Sequence, residues 1–248
     1  MTPEELHNIY RAEPAFWWYE GMRGITWALL DGHLRRGLSS GLDAGCGTGM
    51  NALAFEDRYG VRMHGVDLAR LGIEYSRKRG LDRSAVASAM ALPFADSTFD
   101  LVTSMDVFPV LASGDDREAL REFWRVLRPG GLLVLRAAAF RSLRSRHSEY
   151  AAEKHRYRSG ELLRMLADQE FTILRWTYAN FFLSPVAWFK FRIWENLTRQ
   201  EPRSGVAEVL PPWLNRLLLT VMRTESALIR SGFRLPFGQS LMVLACKS

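Results

Sequence analysis

The region between residues 42 and 140 alternates short apolar runs with longer amphipathic stretches. The apolar runs cover residues 41–44, 61–66, 85–87, 99–104 and 132–137, and each has the length of a buried β-strand. In the intervening segments 51–58, 71–79 and 117–127, apolar residues recur at helical spacing. This alternation predicts an α/β fold with a mostly parallel sheet that is covered by helices on both faces.

The two flanks of this region have a different character. Residues 14–38 show a helical pattern, Ser159 opens a further helix, and residues 171–178 and 240–246 read as strands that pair antiparallel. Between those strands, residues 181–233 form an aromatic, arginine-bearing insertion that fits two helices with a break near Pro211 and Pro212. We therefore expect one folded unit with an N-terminal helical cap (1–38), a core (39–180 and 234–248) and a helical lid insertion (181–233).

Composition narrows the function without naming it. The chain has 248 residues, 48% of them hydrophobic and 24% charged, with a formal net charge of +6. Cys46 and Cys246 lie too far apart in sequence to suggest a disulfide framework or a metal site. The N-terminus has no signal-peptide pattern, and the uncharged stretch 176–189 is too short to span a bilayer, so we expect a cytoplasmic protein. The arginines are dispersed, which argues against nucleic acid as a partner.

A glycine-rich turn follows the first predicted strand. The sequence Leu-Asp-Ala-Gly-Cys-Gly-Thr-Gly runs from Leu42 to Gly49, between a strand and a helix. Alternate glycines allow the backbone to approach a ligand closely, and free N–H groups at the helix start can bind its polar atoms. A dinucleotide fingerprint requires a third glycine at position 50, which is Met50, and Asp43 would repel a pyrophosphate. The turn therefore predicts a ligand with a positively charged amino-acid moiety.

Asp67 ends the second predicted strand, 18 residues after Gly49. A carboxylate at this position can accept both ribose hydroxyls of a nucleoside. It can also cap the helix that begins after Leu68. The two roles are compatible.

Two further motifs complete a resemblance to the class I S-adenosylmethionine-dependent methyltransferases. Residues 91–100 read Ala-Leu-Pro-Phe-Ala-Asp-Ser-Thr-Phe-Asp, and residues 122–131 read Glu-Phe-Trp-Arg-Val-Leu-Arg-Pro-Gly-Gly. The resemblance covers about residues 40–140, with four motifs in order. It implies a Rossmann-like, seven-stranded sheet whose last strand is antiparallel, and S-adenosylmethionine as the cofactor.

The resemblance also implies roles for individual residues. Those near the methionine part of the cofactor would be Asp43, Gly45, Cys46, Gly47, Gly49 and Met105. Those near its nucleoside would be Asp67 at the ribose and Leu68, Ser88, Ala89 and Met90 at the adenine. Two positions depart from the family pattern, because Ser88 replaces a frequent acid and Val110 replaces a histidine. A histidine base is therefore absent after the fourth strand.

The predicted N-terminal cap contains a stretch, Phe16-Trp17-Trp18-Tyr19 followed by Arg23, that is similar to one in some bacterial members of the family. By that resemblance Arg23 binds the cofactor carboxylate, and Trp18 or Tyr19 lines the methyl-transfer site. Ordinary helix packing is the alternative for these aromatic residues.

Three polar side chains follow the fifth predicted strand, where acceptor substrates approach in this family. His155 and Tyr157 are candidates for a substrate contact or a general base, as is His147 to a lesser degree. All three could instead be simple loop residues.

These observations lead to two functional hypotheses. The first is transfer of a methyl group from S-adenosylmethionine to a small, hydrophobic acceptor, driven mainly by positioning. The second is a non-catalytic nucleoside-binding or accessory protein. The insertion 181–233 leaves three alternatives open: a lid over a hydrophobic acceptor, a homodimer interface, or a peripheral membrane contact.

Overall fold

The computed structural model describes residues 2–33, 37–198, 201, 204–205 and 210–248. In the described residues seven strands form one sheet in the order β3-β2-β1-β4-β5-β7-β6. The strands are β1 (Ser40–Ala44), β2 (Arg62–Asp67), β3 (Ser84–Val86), β4 (Phe99–Met105), β5 (Leu127–Ala138), β6 (Phe171–Ala179) and β7 (Ser240–Lys247). Strands β1 to β5 pair in parallel, and β7 is antiparallel to both β5 and β6. The predicted Rossmann-like sheet with an antiparallel last strand is confirmed.

Helices lie on both faces of the sheet, as predicted. The first seven are α1 (Pro3–Ala12), α2 (Trp17–Leu30), α3 (Met50–Tyr59), α4 (Arg70–Lys78), α5 (Asp115–Val126), α6 (Arg146–Tyr150) and α7 (Ser159–Asp168). Buried residues of α5 and α7 form one hydrophobic cluster with the sheet, and those of α2, α3 and α10 (Pro212–Arg230) form a second. The sheet is therefore the middle layer of three.

The N-terminal cap contains two helices, whereas the sequence pattern predicted one over residues 14–38. Glu13 ends α1 and Phe16 precedes α2. Pro14 lies in the break, since proline has no backbone N–H with which to continue the helical hydrogen bonds. Residues 34–36, at the end of the predicted segment, lie outside the described residues.

The insertion 181–233 has its predicted second helix at α10, which starts at Pro212 after Pro211. Its first part is a composite of α8 (Ser184–Phe189), a π-helical segment (Lys190–Trp194) and α9 (Glu195–Leu197). Residues 199–200, 202–203 and 206–209 of the insertion lie outside the described residues. Among the described helices, none combines the length and the apolar character needed to cross a bilayer.

Candidate active site

The glycine turn lies at the edge of the sheet where the parallel strands have their carboxyl ends, which we call the C-terminal edge. Gly45, Gly47 and Gly49 have φ values of 85°, 52° and 82°, a region that L side chains rarely adopt. A Cβ at Gly45 would come within 2.0 Å of Val107, and one at Gly49 within 2.8 Å of Ser76. A Cβ at Gly47 would meet no heavy atom within 4 Å, so the turn presents an open backbone at that point.

Asp67 connects this turn to the end of β2. Its Oδ2 accepts a hydrogen bond from Gly47 N at 2.9 Å, and its Oδ1 accepts one from Ala69 N at 2.8 Å. The second contact closes an Asx turn ahead of α4; the N-cap residue of that helix is Ala69, so Asp67 does not have the capping role that the sequence allowed. Each carboxylate oxygen retains a further acceptor site for a ligand hydroxyl.

Asp43 lies in β1, one residue before its end, and is only 1% exposed. Its Oδ1 accepts a hydrogen bond from the Thr103 hydroxyl at 2.7 Å. Burial raises the pKa of Asp43 to about 7, against the lowering effect of that hydrogen bond, and the negative charge of Asp67 raises it further. Within the described residues no lysine or arginine forms an ion pair with Asp43. A positively charged ligand group would therefore be well placed here.

Glu13, at the end of α1, is a site residue that the sequence analysis missed. Its carboxylate accepts a hydrogen bond from Thr48 of the glycine turn and lies 3.1 Å from the Arg79 guanidinium. Glu13 is 7% exposed, and burial raises its pKa in spite of these partners. The contact fastens the N-terminal cap onto the glycine turn. A single acid between two helices carries no local signal that would have predicted it.

Arg23 of α2 also contacts Glu13, next to the glycine turn. Its Nη2 donates to the Glu13 carbonyl oxygen at 3.0 Å, whereas its Nη1 is buried and has no hydrogen-bond acceptor among the described residues. Burial lowers the pKa of Arg23. A buried guanidinium nitrogen with unused donors is costly unless an acceptor fills the gap.

Trp18 covers a charged pair at the ends of β4 and β5. Arg136 donates two hydrogen bonds to Asp106 Oδ2, at 2.9 and 2.7 Å, and its guanidinium lies 5.0 Å from the centre of the Trp18 ring. Asp106 adopts a φ of 61°, which is uncommon outside glycine. Trp18 therefore reaches the C-terminal edge and packs on a cation there.

Tyr19 packs edge-on against Trp18, with ring centres 5.0 Å apart. Burial raises the pKa of Tyr19 well above its ordinary value, and the nearby carboxylates of Glu13 and Glu5 raise it further. The hydroxyl therefore stays protonated at neutral pH. Tyr19 can donate a hydrogen bond at the site, but the structure argues against a role as general base.

The residues predicted to surround the nucleoside flank β2 and β3. Leu68, directly after Asp67, is 67% exposed and free to cover a flat ligand. Ser88 accepts a hydrogen bond from Met90 N at 3.1 Å, and Ala89 is buried between them. The roles assigned to these four residues stay predictions.

Cys46 and Met105 are both buried beside the turn and the end of β4. Burial raises the pKa of the Cys46 thiol, so it is not a nucleophile at neutral pH. Their predicted contact with the cofactor remains a prediction.

Tyr157 lies in the core, and its predicted role as a base is not supported by its surroundings. It is 2% exposed and donates its hydroxyl to Asp116 Oδ2 at 3.0 Å. Burial raises its pKa, and the charge of Asp116 does so too. These contacts favour a structural role for Tyr157, because its hydroxyl proton is held by the half-buried Asp116.

The two histidines near it have protein partners as well. His155 Nε2 lies 2.8 Å from Glu161 Oε1, and its ring packs edge-on against Tyr157 at 4.5 Å. His147 Nδ1 accepts a hydrogen bond from Gly205 N at 3.0 Å. Of the two candidate general bases, His155 and Tyr157, His155 is the more accessible. Its role as a base stays a prediction.

A cavity of about 240 Å³ lies between α2 and α10, lined by Glu20, Gly21, Arg23, Gly24, Trp27, Leu219, Arg223 and Ser226. None of these residues belongs to the glycine turn or to the ends of β1 and β2. We therefore do not assign the cavity to the nucleoside site. In the described residues no cluster of three or more histidine, cysteine or acidic side chains could hold a metal ion.

Comparison with known proteins gives matches that include several methyltransferases. Residues 42–135 match a family model described as a methyltransferase domain. The chain is 37% identical over 103 residues to the O-methyltransferase resE of Aspergillus sclerotiorum, an alignment of 38% of each protein. It is 42% identical over 100 residues to the demethylmenaquinone methyltransferase of Thermus thermophilus, covering 38% of this chain and 44% of that protein. The chain thus spans less than half the length of these curated relatives.

A solved structure extends the likeness to nearly the whole chain. The geranyl diphosphate C-methyltransferase from Streptomyces coelicolor A3(2) superposes with a TM-score of 0.60 at 18% identity, covering 92% of this chain and 79% of that one. Identity at this level shows a shared fold. Residues 42–135 thus form a methyltransferase domain, and the strand order and the superposition give the chain the fold of the class I S-adenosylmethionine-dependent methyltransferases.

Proposed function

We propose that this chain transfers a methyl group from S-adenosylmethionine to a small, hydrophobic acceptor. The observation that carries the proposal is the buried carboxylate of Asp43, which forms no ion pair with the part of the chain that the structure describes and lies beside the Asp67-linked glycine turn. A carboxylate in this position suits an ammonium group, and it is unfavourable for a diphosphate.

The residues present fit this cofactor on three independent points. Among the described residues Asp43 has no ion-pair partner and Arg23 Nη1 has no acceptor, and Gly47 leaves its open backbone between Asp43 and Asp67. The cofactor carries an ammonium group, a carboxylate and two ribose hydroxyls. These groups match the unfilled capacity of Asp43, Arg23 and Asp67 in turn.

The bound cofactor would supply a methyl group on a positively charged sulfur, and this methyl group is readily transferred. The protein's task is then to hold the parts in line and to exclude water. The cofactor is bound and oriented by Asp43, Arg23 and Asp67, and its adenine is covered by Leu68. Trp18 and Tyr19 cover the C-terminal edge, and aromatic faces there stabilise positive charge.

The acceptor is the least constrained part of the proposal. The names of the similar proteins include an O-methyltransferase and a geranyl diphosphate C-methyltransferase, which supports a small-molecule acceptor. The aromatic side chains of the cap support a hydrophobic one. Where a hydroxyl acceptor must lose a proton, His155 is the candidate base, because Tyr19 and Tyr157 remain protonated.

Substitution of Asp43 tests the proposed cofactor site. Asp43→Asn removes the charge and keeps the shape, so we expect binding of S-adenosylhomocysteine to weaken by about tenfold to a hundredfold. Isothermal titration calorimetry measures the change, with the exposed Asp57→Asn as the matched control. Equal affinity in both variants, or no binding to the unmodified protein, would remove the proposal.

Transfer of a labelled methyl group into fractionated small molecules separates the two candidate functions. Incorporation that depends on Asp43 supports catalysis. The second candidate, a nucleoside-binding protein without transfer, is favoured by Val110 and by the protonated Tyr19. Tight cofactor binding together with no incorporation from any fraction would support that candidate.

A further inference from the structure

The first half of the insertion forms a helix that turns a row of apolar side chains toward solvent. This segment, residues 184–197, comprises α8, the π-helical segment and α9, and we call it the outer helix. Its side facing the protein carries Ser184, Ala187, Phe191 and Glu195, which are buried or half-buried. Its solvent side carries Val186, Phe189, Ile193 and Leu197, which are 68%, 53%, 43% and 76% exposed.

Polar contacts explain why the helix keeps this orientation. Ser184 donates its hydroxyl to the Asn180 carbonyl at 2.6 Å, and Glu195 accepts a hydrogen bond from Arg146 N at 2.9 Å. Because Ser184 and Glu195 are buried and bonded, a rotation that hid the apolar side would leave these groups without partners. The exposed stripe is therefore a property of the fold.

A contiguous apolar stripe on a surface helix differs from scattered exposed residues. Surface helices normally turn their apolar stripe toward the core and their polar side toward solvent. Trp188 and Trp194 widen the stripe, since both are about half exposed. Apolar surfaces of this kind mark sites that contact another apolar body.

The exposed charged side chains of the outer helix are all basic. Lys190 and Arg192 are exposed on the outer helix, and Glu195, the one acid in residues 181–198, is buried. The adjoining 3₁₀ turn, Arg141–Leu143, adds the exposed Arg141, and Arg192 donates to Ser142 O at 3.0 Å. The surface is thus aromatic and aliphatic in its middle and basic at its rim.

We propose that the outer helix docks on the surface of an anionic lipid bilayer. Tryptophan and aliphatic side chains enter the boundary between head groups and acyl chains, while lysine and arginine pair with anionic head groups. A second copy of this chain fits less well, because a two-fold contact would bring Lys190 and Arg192 toward basic residues with no exposed acid from this helix to pair with them. The described helices do not cross a bilayer, so the contact is peripheral.

Co-sedimentation with vesicles tests this docking and requires no methyl transfer. We expect the full chain to bind vesicles of phosphatidylcholine with phosphatidylglycerol, and to bind pure phosphatidylcholine about tenfold more weakly or worse. The double variant Phe189→Ser, Leu197→Ser removes two apolar contacts and should weaken binding by about tenfold or more. Because both side chains are exposed, the variant should keep the melting temperature of the unmodified chain.

Phe233→Ser is the matched control, since Phe233 is 63% exposed but follows α10, outside the outer helix. It should bind vesicles as the unmodified chain does. Lys190→Gln should reduce the preference for phosphatidylglycerol and leave binding to neutral vesicles unchanged. Absence of vesicle binding, or equal binding by the double variant, would overturn the proposal. A homodimer in sedimentation equilibrium that dissociates in the double variant would also overturn it, in favour of a second copy.

Discussion

At the residue scale, one side chain joins the N-terminal cap to the site. Glu13 contacts Thr48 through its carboxylate and Arg23 through its carbonyl oxygen. It thereby links the glycine turn to the residue proposed to bind the cofactor carboxylate. The cap is part of the site in this arrangement, and Glu13 is a positioning residue.

Replacement of Glu13 tests that role. Glu13→Gln keeps the size but removes the charge that pairs with Arg79, so we expect cofactor affinity to fall several-fold and stability to fall by about 1–3 kcal/mol. Calorimetric titration and urea unfolding measure the two effects. The exposed Glu4→Gln, on the same helix, is the control and should change neither. Unchanged affinity in Glu13→Gln would show that the cap does not order the turn.

Among the helices, α2 of the N-terminal cap packs directly against α10 of the insertion. A Cβ at Gly21 of α2 would lie 2.7 Å from Met222 Cβ of α10, so the two helices touch at that point. Glu225 of α10, fully buried, accepts hydrogen bonds from the backbone N–H groups of Asn180 and Phe181, at 2.5 and 2.8 Å. The second helix of the predicted lid is therefore a packed part of the core layer.

The close approach of these helices yields a stability prediction. Gly21→Ala forces Met222 to move, and we expect a loss of about 1–2 kcal/mol after the gain in helix propensity is subtracted. Gly160→Ala, in α7, is the matched control because a Cβ there meets nothing within 4 Å, and it should be neutral or slightly stabilising. Urea unfolding compares the two. Equal stability would mean that the helices separate at little cost.

At the scale of the whole molecule, two buried carboxyl groups make stability depend on pH. Burial raises the pKa of Asp43 and that of Glu225 to about 7, from ordinary values of 3.8 and 4.5. Between about pH 4 and 7 the folded chain therefore holds more protons at these groups than the unfolded chain. By linkage, their contribution to the free energy of unfolding decreases as pH rises through this range.

Urea unfolding at about pH 5 and pH 8 should show this dependence. We expect Glu225→Gln to remove part of the loss on raising the pH, on the order of 1–3 kcal/mol, although the variant is less stable overall because it loses carboxylate acceptors. Burial lowers the pKa of His64, so its effect on the pH dependence of stability has the opposite sign. Because His64 is present in both the unmodified chain and the variant, the difference between them reports on Glu225. The same pH dependence in both proteins would contradict the prediction.

The sheet and the glycine turn could be predicted from the amino-acid sequence. The strand and helix periods, the three glycines and the acids at positions 43 and 67 are local patterns, and the structure places them as those patterns predict. Local patterns are readable because neighbouring residues on one element share a direction in space. The N-terminal cap was predicted only as helix, since its break at Pro14 interrupts the period.

Contacts between side chains that lie far apart in sequence became visible only in the folded chain. No local pattern predicts that Glu13 contacts Thr48, 35 residues later. The hydrogen bond from the buried Tyr157 hydroxyl to Asp116 is equally unpredictable from the sequence. The apolar content of the outer helix was visible in the sequence, but its outward direction was not. Two buried polar residues, Ser184 and Glu195, fix that direction through partners outside the helix, and partners far away in sequence leave no periodic signal.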